Sequence, residues 1–181
     1  DVLLTPNWAW HSHDNVGKDD CYWMDFLDVP LVHLLEPMFF EPHPEGLEKE
    51  STPSEGGALA FRWEDTLARL EADRGNGHVD AHASVQLGDP ALKTIRLDMQ
   101  QLDAGKPTGL SRTTANIIYA VVRGSGETEI DGQRFAWNFG DTVCVPAWRP
   151  YRHRASENAV LLKVSDAPAM DAFGWLRTQT F

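Results

Sequence analysis

Hydrophobic and polar residues alternate through much of the second half of the chain. Leu92–Met99 alternates along its length, Asn116–Val122 is a second strand-like run, and Thr128–Phe135 holds two short runs around Asp131-Gly132. An Asp-Gly pair between alternating runs is a strong signal for a tight β-hairpin. Short strands with turns at short intervals predict a small β-sandwich or barrel over residues 84–181.

One segment has the periodicity of a helix instead. Between Arg62 and Gly75, the apolar residues Trp63, Leu67 and Leu70 recur at intervals of three and four, which places them on one helical face. Acidic residues come early in the segment, and a glycine follows it. This pattern predicts a helix over about residues 62–74 that packs against the outside of the barrel.

Composition divides the chain into three parts. Residues Glu45–Gly57 are rich in Glu, Lys, Ser, Thr, Pro and Gly and show no periodicity, as expected for an exposed interdomain linker. We therefore predict a first domain over residues 1–44, a linker region with the helix over 45–83, and a second domain over 84–181.

The first 44 residues contain three apolar runs that predict strands. Thr5–Asn15 and Cys21–Pro30 flank a polar Asp14–Asp20 segment, as in a hairpin, and Leu31–Phe40 is apolar enough for a buried strand. The chain opens on an apolar run without methionine, so further strands of the first domain are expected upstream of Asp1.

His11 and His13 are the candidate metal-binding residues of this region. Side chains alternate along a strand, so both imidazoles share a face, while Trp8 and Trp10 point to the other. If the Cys21–Pro30 strand pairs with Cys21 opposite His13, Trp23 faces His11, and Asp25 lies one pair further along the same face. Two histidines on a strand also occur as a surface or hydrogen-bonded pair, so spacing alone leaves both interpretations open.

Charge and cysteine content narrow the class of protein. The 181 residues carry a net charge of -11, which argues against binding nucleic acid or an anionic membrane surface. No apolar run reaches membrane-spanning length. Two widely separated cysteines do not form a disulfide framework, which favours a reducing compartment and a cytoplasmic location.

The spacing around His11 carries a family resemblance. Pro6 lies five residues before His11 and Asn15 four after it, the spacing of the second cupin motif, with Trp8 in place of the usual glycine. The wider pattern is Thr-Pro-x-Trp-x-Trp-His-x-His-x-Asn, followed by Trp-x-Asp-x-Leu-Asp-Val-Pro-Leu-Val and Phe-Phe-Glu. This resembles the gentisate 1,2-dioxygenase family of bicupin ring-cleaving enzymes, which includes salicylate and 1-hydroxy-2-naphthoate dioxygenases.

The resemblance implies a fold and a chemistry. It implies an all-β bicupin built from double-stranded β-helix (jelly roll) domains, here with an incomplete N-terminal cupin and one linker helix. It also implies non-haem Fe(II) held by three histidines, which opens the ring of a salicylate-type aromatic acid with dioxygen, gentisate being the first choice of substrate. Relatives of this kind imply a homo-oligomer, with a tetramer expected.

The resemblance assigns roles to three residues of this chain. His11 is expected to bind the metal, and His13 to hydrogen-bond the substrate and move a proton. Asp25 is expected to contact the substrate or orient a histidine. The other two metal ligands, and arginines that bind the substrate carboxylate, are expected upstream of Asp1.

The second domain repeats the motif without its ligands. Gly140–Pro146 matches the start of the second cupin motif, but His153 is offset by two from the ligand position. We therefore expect no metal in this domain, whose four ligand positions hold Leu110, Arg112, Ile117 and Tyr151. Arg112, Tyr151 and His153 form either an anion pocket or ordinary packing at the barrel mouth, and packing is favoured.

Two functions of other classes stay open. One is a non-enzymatic cupin that binds a small aromatic acid or sugar, and it requires no iron. The other is a scaffold or oligomerisation half, in which the second domain contributes only contacts between subunits.

Overall fold

A computed structural model describes residues 1–37, 39–46, 58–88 and 92–181. Short elements precede the main fold: strand β1 (Val2–Leu3), helix α1 (Val29–Leu35), strand β2 (Ala60–Phe61) and helix α2 (Trp63–Asp73). The strands that follow are β3 (Ala83–Leu87), β4 (Arg96–Leu102), β5 (Ser111–Thr113), β6 (Ile117–Arg123), β7 (Ser125–Ile130), β8 (Gln133–Asn138), β9 (Thr142–Val145), β10 (Tyr151–Ala155) and β11 (Ala159–Ser165). Helix α3 (Ala167–Ala172) and strand β12 (Thr178–Thr180) end the chain.

Strands β3 to β12 form two stacked antiparallel sheets, called the sandwich below. One five-stranded sheet has the order β12-β5-β10-β7-β8 and the other β3-β4-β11-β6-β9. Chain neighbours β10 and β11 lie in different sheets, as in a jelly roll. The predicted β-sandwich is therefore confirmed, and so is the hairpin turn, where Asp131 and Gly132 both have positive φ (52° and 80°).

Two apolar layers hold the sandwich together. Between the sheets, Trp137, Leu161 and Val121 belong to one buried cluster. On the outer face of the β4-β11-β6 sheet, Met99, Val160 and Leu162 form a second cluster. Successive side chains along each strand point to opposite faces, and because both faces of this sheet are covered, both are apolar.

Helix α2 covers that outer face, as predicted. Leu70 is fully buried there, and Trp63 and Leu67 pack against the same cluster. Glu64 and Asp65 lie in the first turn, where carboxylates favour the positive end of the helix dipole. The sequence pattern thus located both the helix and its buried face.

The strand predictions for the first 44 residues are wrong. Among the residues described, Thr5–Asn15 and Cys21–Pro30 contain no strand, and helix α1 replaces the predicted strand at Leu31–Phe40. A strand needs a neighbour for its backbone groups, and no segment among the described residues pairs with these runs. In α1 the groups are satisfied locally instead, because Val32 N donates to Asp28 O and Glu36 N to Val32 O.

A few contacts attach this region to the sandwich. Strand β1 pairs with β2, and Leu4 is buried in the outer cluster. The Thr94 hydroxyl donates to the Asp28 carboxylate at 2.5 Å. The predicted linker lies mostly outside the described residues, and the domain boundaries stay predictions. No helix in the described part of the chain is long and apolar enough to cross a membrane.

Shortening Leu70 tests how strongly α2 stabilises the fold. Leu70→Ala leaves a void in a fully buried position, so we expect the free energy of unfolding to fall by about 3 kcal/mol. Leu67→Ala, on the same face but only half-buried, should cost clearly less. Equal losses in urea unfolding would show that the two positions do not differ in packing.

Candidate functional site

The two predicted histidines lie side by side on the surface. The ring centroids of His11 and His13 are 5.6 Å apart with an angle of 68° between the rings. His13 also packs against Trp23, with centroids 5.4 Å apart. Trp23 therefore contacts His13, not His11 as predicted, because Thr5–Asn15 and Cys21–Pro30 do not pair as strands.

The predicted alternation of tryptophans and histidines does not hold, because Thr5–Asn15 is not a strand and Trp8 lines the same cavity as His11 and His13. The Trp8 ring lies 5.3 Å from the Phe39 ring, and the Trp10 ring 4.8 Å from that of His43. Trp10 Nε1 also donates to the Glu41 carbonyl at 2.9 Å. These contacts tie the segment to residues 39–43, while both imidazoles remain exposed.

His11, His13 and Asp25 line the same cavity, called the N-terminal cavity below. Its volume is about 1100 Å³, and its walls extend from residues 1–28 to the outer face of the sandwich at Met99 and Leu162. Four aspartates line this cavity, and none of its described lining residues is lysine or arginine.

The residues around His11 form only part of a metal site. His11 Nδ1 lies 3.5 Å from the Ala9 carbonyl oxygen, a long contact that leaves Nε2 directed elsewhere. In the described part of the chain, no group of three His, Cys, Asp or Glu side chains is positioned to hold a metal ion. The donor types suit iron, but the set is incomplete without further ligands.

A second polar cluster lies inside the sandwich, centred on Asp80 in the loop between α2 and β3. Lys163 Nζ donates to Asp80 Oδ2 at 2.6 Å, and Gln100 Nε2 donates to Oδ1 at 3.2 Å. The Tyr151 hydroxyl donates to Oδ2 at 3.1 Å and lies 3.1 Å from the Tyr119 hydroxyl. The carboxylate is therefore surrounded by donors.

His153 completes this cluster from the opposite sheet and is fully buried. Trp137 Nε1 donates to Thr128 Oγ1 at 2.9 Å, and that hydroxyl lies 2.8 Å from His153 Nδ1. Since the indole can only donate, the Thr128 hydrogen is available for Nδ1, which favours the tautomer with its proton on Nε2. Nε2 has no hydrogen-bond partner within the described residues.

Burial and charge together set the protonation of the cluster. Burial lowers the pKa of His153 to about 4, despite the nearby Asp80 charge. Burial alone would raise the pKa of Asp80, but the Lys163 ammonium holds it below its usual value. Burial raises the pKa of Tyr119 and Tyr151. At neutral pH the cluster therefore contains one ion pair, two phenols and a neutral imidazole.

Arg112 does not join this cluster. Its guanidinium donates to Gln179 Oε1 at 2.7 Å and stacks over the Trp148 ring at 4.4 Å. Tyr151 and His153 do share a buried face, but their charged neighbours there are Asp80 and Lys163 and not Arg112. Packing at the barrel mouth, the favoured interpretation of Arg112, agrees with these contacts.

Asp80 and Lys163 are the site residues that sequence reasoning missed. Lys163 interrupts the apolar run of β11, Ala159–Ser165, and a lysine in a strand that is otherwise buried calls for a buried partner. Asp80 lies in a loop 83 residues earlier, with no local signal. Lys163 could therefore have been identified from the sequence, but Asp80 could not.

Comparisons with known proteins agree with this fold. Over 98% of its length the chain is 34% identical to a gentisate 1,2-dioxygenase from Streptomyces sp, and over 100% it is 29% identical to a 5-aminosalicylate 1,2-dioxygenase from Comamonas sp. The chain spans 59% and 56% of those relatives. No family model matches the chain.

A solved structure shows the same fold. The chain is similar to salicylate 1,2-dioxygenase from Pseudoaminobacter salicylatoxidans, determined as adducts with gentisate, with a TM-score of 0.73 and 22% identity. The match covers 84% of this chain and 51% of that protein. The bicupin architecture implied by the sequence is therefore supported over about half of that structure.

The buried imidazole predicts a dependence of stability on pH. The pKa of His153 is about 4 in the folded protein and about 6.5 when unfolded, so the unfolded chain binds the proton first as the pH falls. We expect the free energy of unfolding to decrease by about 3 kcal/mol between pH 6.5 and pH 4 through this group and to change no further below.

Urea unfolding measured across that pH range checks the assignment. His153→Phe should flatten the curve by this amount, whereas His33→Asn, at an exposed position on α1, should leave the slope unchanged. An unchanged slope in the His153 variant would mean that the imidazole is not held neutral by burial.

Proposed function

Because the chain belongs to the gentisate 1,2-dioxygenase family, we propose that it contributes to a non-haem Fe(II) site that cleaves the ring of a salicylate-type aromatic acid with dioxygen. Gentisate is the first choice of substrate, since relatives act on it by name. The observation that supports the proposal is the pair His11 and His13 on one wall of the N-terminal cavity.

His11 is proposed as the metal ligand of this chain. Ligating histidines commonly direct one ring nitrogen at a backbone carbonyl, which orients the ring and increases the basicity of the other nitrogen. His11 Nδ1 faces the Ala9 carbonyl in this way, which leaves Nε2 for iron. Two further ligands have to come from outside the described residues, because those described assemble no group of three.

His13 is proposed to act on the substrate. Its ring packs against Trp23 and lies beside the ring of His11. An imidazole so placed hydrogen-bonds a substrate hydroxyl and takes up or returns its proton. Iron, when bound, supplies the redox chemistry that allows dioxygen to react with the ring.

The described lining of the N-terminal cavity contains no cationic side chain to bind the substrate carboxylate. A salicylate-type substrate is an anion, but the four lining aspartates repel it and no described lining residue is cationic. Asp25 therefore suits hydrogen bonding to a hydroxyl or to a histidine, and not to the substrate carboxylate. Arginines from outside the described residues are proposed to bind that carboxylate.

Association of subunits is proposed from the exposed aromatic side chains. Trp8 is 75% exposed and Phe40 87% exposed, and Leu34 on α1 is 77% exposed. Apolar surface of this extent marks an interface with another domain or subunit. A homo-oligomer, and a tetramer in particular, is the proposed state, in a cytoplasmic protein.

Substitution of the two histidines in the full-length protein tests their roles. We expect His11→Ala to lower iron content and turnover together, because the ligand is lost. His13→Ala should keep near-normal iron while turnover falls by roughly 10²–10⁴-fold, the range of a lost general acid or base. Iron is measured by metal analysis and turnover by oxygen consumption with gentisate.

His33→Ala is the matched control, since it removes an exposed imidazole outside the N-terminal cavity. His33→Ala should change neither the iron content nor the turnover. Loss of iron in the His13 variant with iron retained in the His11 variant would reverse the two roles. Normal iron and activity in both variants would place the dioxygenase site elsewhere.

A further inference from the structure

The interior of the sandwich is apolar at one end and polar at the other. In the strand register, Lys163 on β11 lies opposite Asp98 on β4 and Tyr119 on β6, so these three residues form one row across the sheet. Gln100 and Ser165 are buried in neighbouring rows. Burying so many polar groups costs free energy unless each finds a partner, which makes this polar end unlike an ordinary core.

A cavity of about 300 Å³ opens at the polar end. Its wall includes Asp80, Lys163 and Gln100, and leads outward to Arg96 and Asp98. The mouth of a β-barrel is a common position for a small-molecule site. Six serine and threonine side chains also line it: Ser84, Ser111, Thr113, Ser165, Thr178 and Thr180.

Gln100 leaves a hydrogen-bond acceptor unused at this cavity. Its side chain is only 2% exposed, its Nε2 donates to Asp80, and its Oε1 has no partner within the described residues. A buried acceptor without a partner costs about 1–3 kcal/mol. Oε1 is closed to water in this structure, so a bound hydroxyl donor would remove that cost once the amide turns toward the cavity.

The charges of the cavity are balanced, which decides the kind of ligand. Lys163 is paired with Asp80 at 2.6 Å, and Arg96 binds Asp98 through two hydrogen bonds of 2.8 Å. A charged ligand would have to lose its hydration while meeting groups that are already neutralised in pairs. The hydroxyl groups, by contrast, can both donate and accept.

We propose that the polar end of the sandwich binds a small neutral molecule with several hydroxyl groups, of the size of a polyol or monosaccharide. One ligand hydroxyl donates to Gln100 Oε1, and others exchange hydrogen bonds with the side chains of Ser111 and Ser165. This site is separate from the N-terminal cavity, which lies on the outer face of the β4-β11-β6 sheet.

Saturation-transfer NMR on the full-length protein, with D-xylose as the probe, tests the site. We expect transfer to xylose with the unmodified protein and roughly tenfold weaker binding by Gln100→Leu, as for one lost hydrogen bond. Gln133→Leu is the matched control, because it makes the same change at an exposed hairpin position. Its affinity should equal that of the unmodified protein.

Three results would overturn the proposal. They are no transfer to xylose, equal affinity in Gln100→Leu, and displacement of xylose by the anion gentisate. Should circular dichroism show that Gln100→Leu is unfolded, Ser165→Ala decides instead. It should fold and bind xylose several times more weakly, and unchanged binding by this variant would equally contradict the site.

Discussion

The ion pair between Asp80 and Lys163 joins the loop after helix α2 to the two sheets of the sandwich. Asp80 lies in the loop after α2, and Lys163 in a central strand of the sandwich, so their contact fixes the loop against both sheets through Tyr119 and Tyr151. Removal of one partner from such a pair costs about 3–5 kcal/mol, because the other charge stays buried alone. Helix α2, which precedes this loop, is held in addition by the buried Leu70 and by the hydrogen bond from Ser84 N to Asp73.

The N-terminal region is held in a different way. Strand pairing between β1 and β2, the buried Leu4 and the hydrogen bond from Thr94 to Asp28 attach it to the outer face of the sandwich. The histidines themselves are exposed, with His11 beside His13 and His13 against Trp23. The sandwich thus acts as a support, and the proposed metal chemistry lies outside it.

Sequence alone predicted the features that depend on neighbours in the chain. The Asp131-Gly132 turn and helix α2 follow from local backbone preference and from periodicity, and both are confirmed. The runs at Thr5–Asn15 and Leu31–Phe40 carry strand patterns but lack a partner strand among the described residues, so local bonding prevailed. The pair Asp80–Lys163 needs residues 83 apart in the chain to meet, which no local pattern reveals.

We propose that iron binds at the surface histidines and not inside the sandwich. Anomalous diffraction at the iron edge, from crystals of the full-length protein, distinguishes these two locations. We expect a peak next to His11 Nε2 and none among Asp80, Tyr151 and His153, where the Lys163 ammonium already binds the carboxylate. A peak beside His153 Nε2, with none at His11, would contradict it.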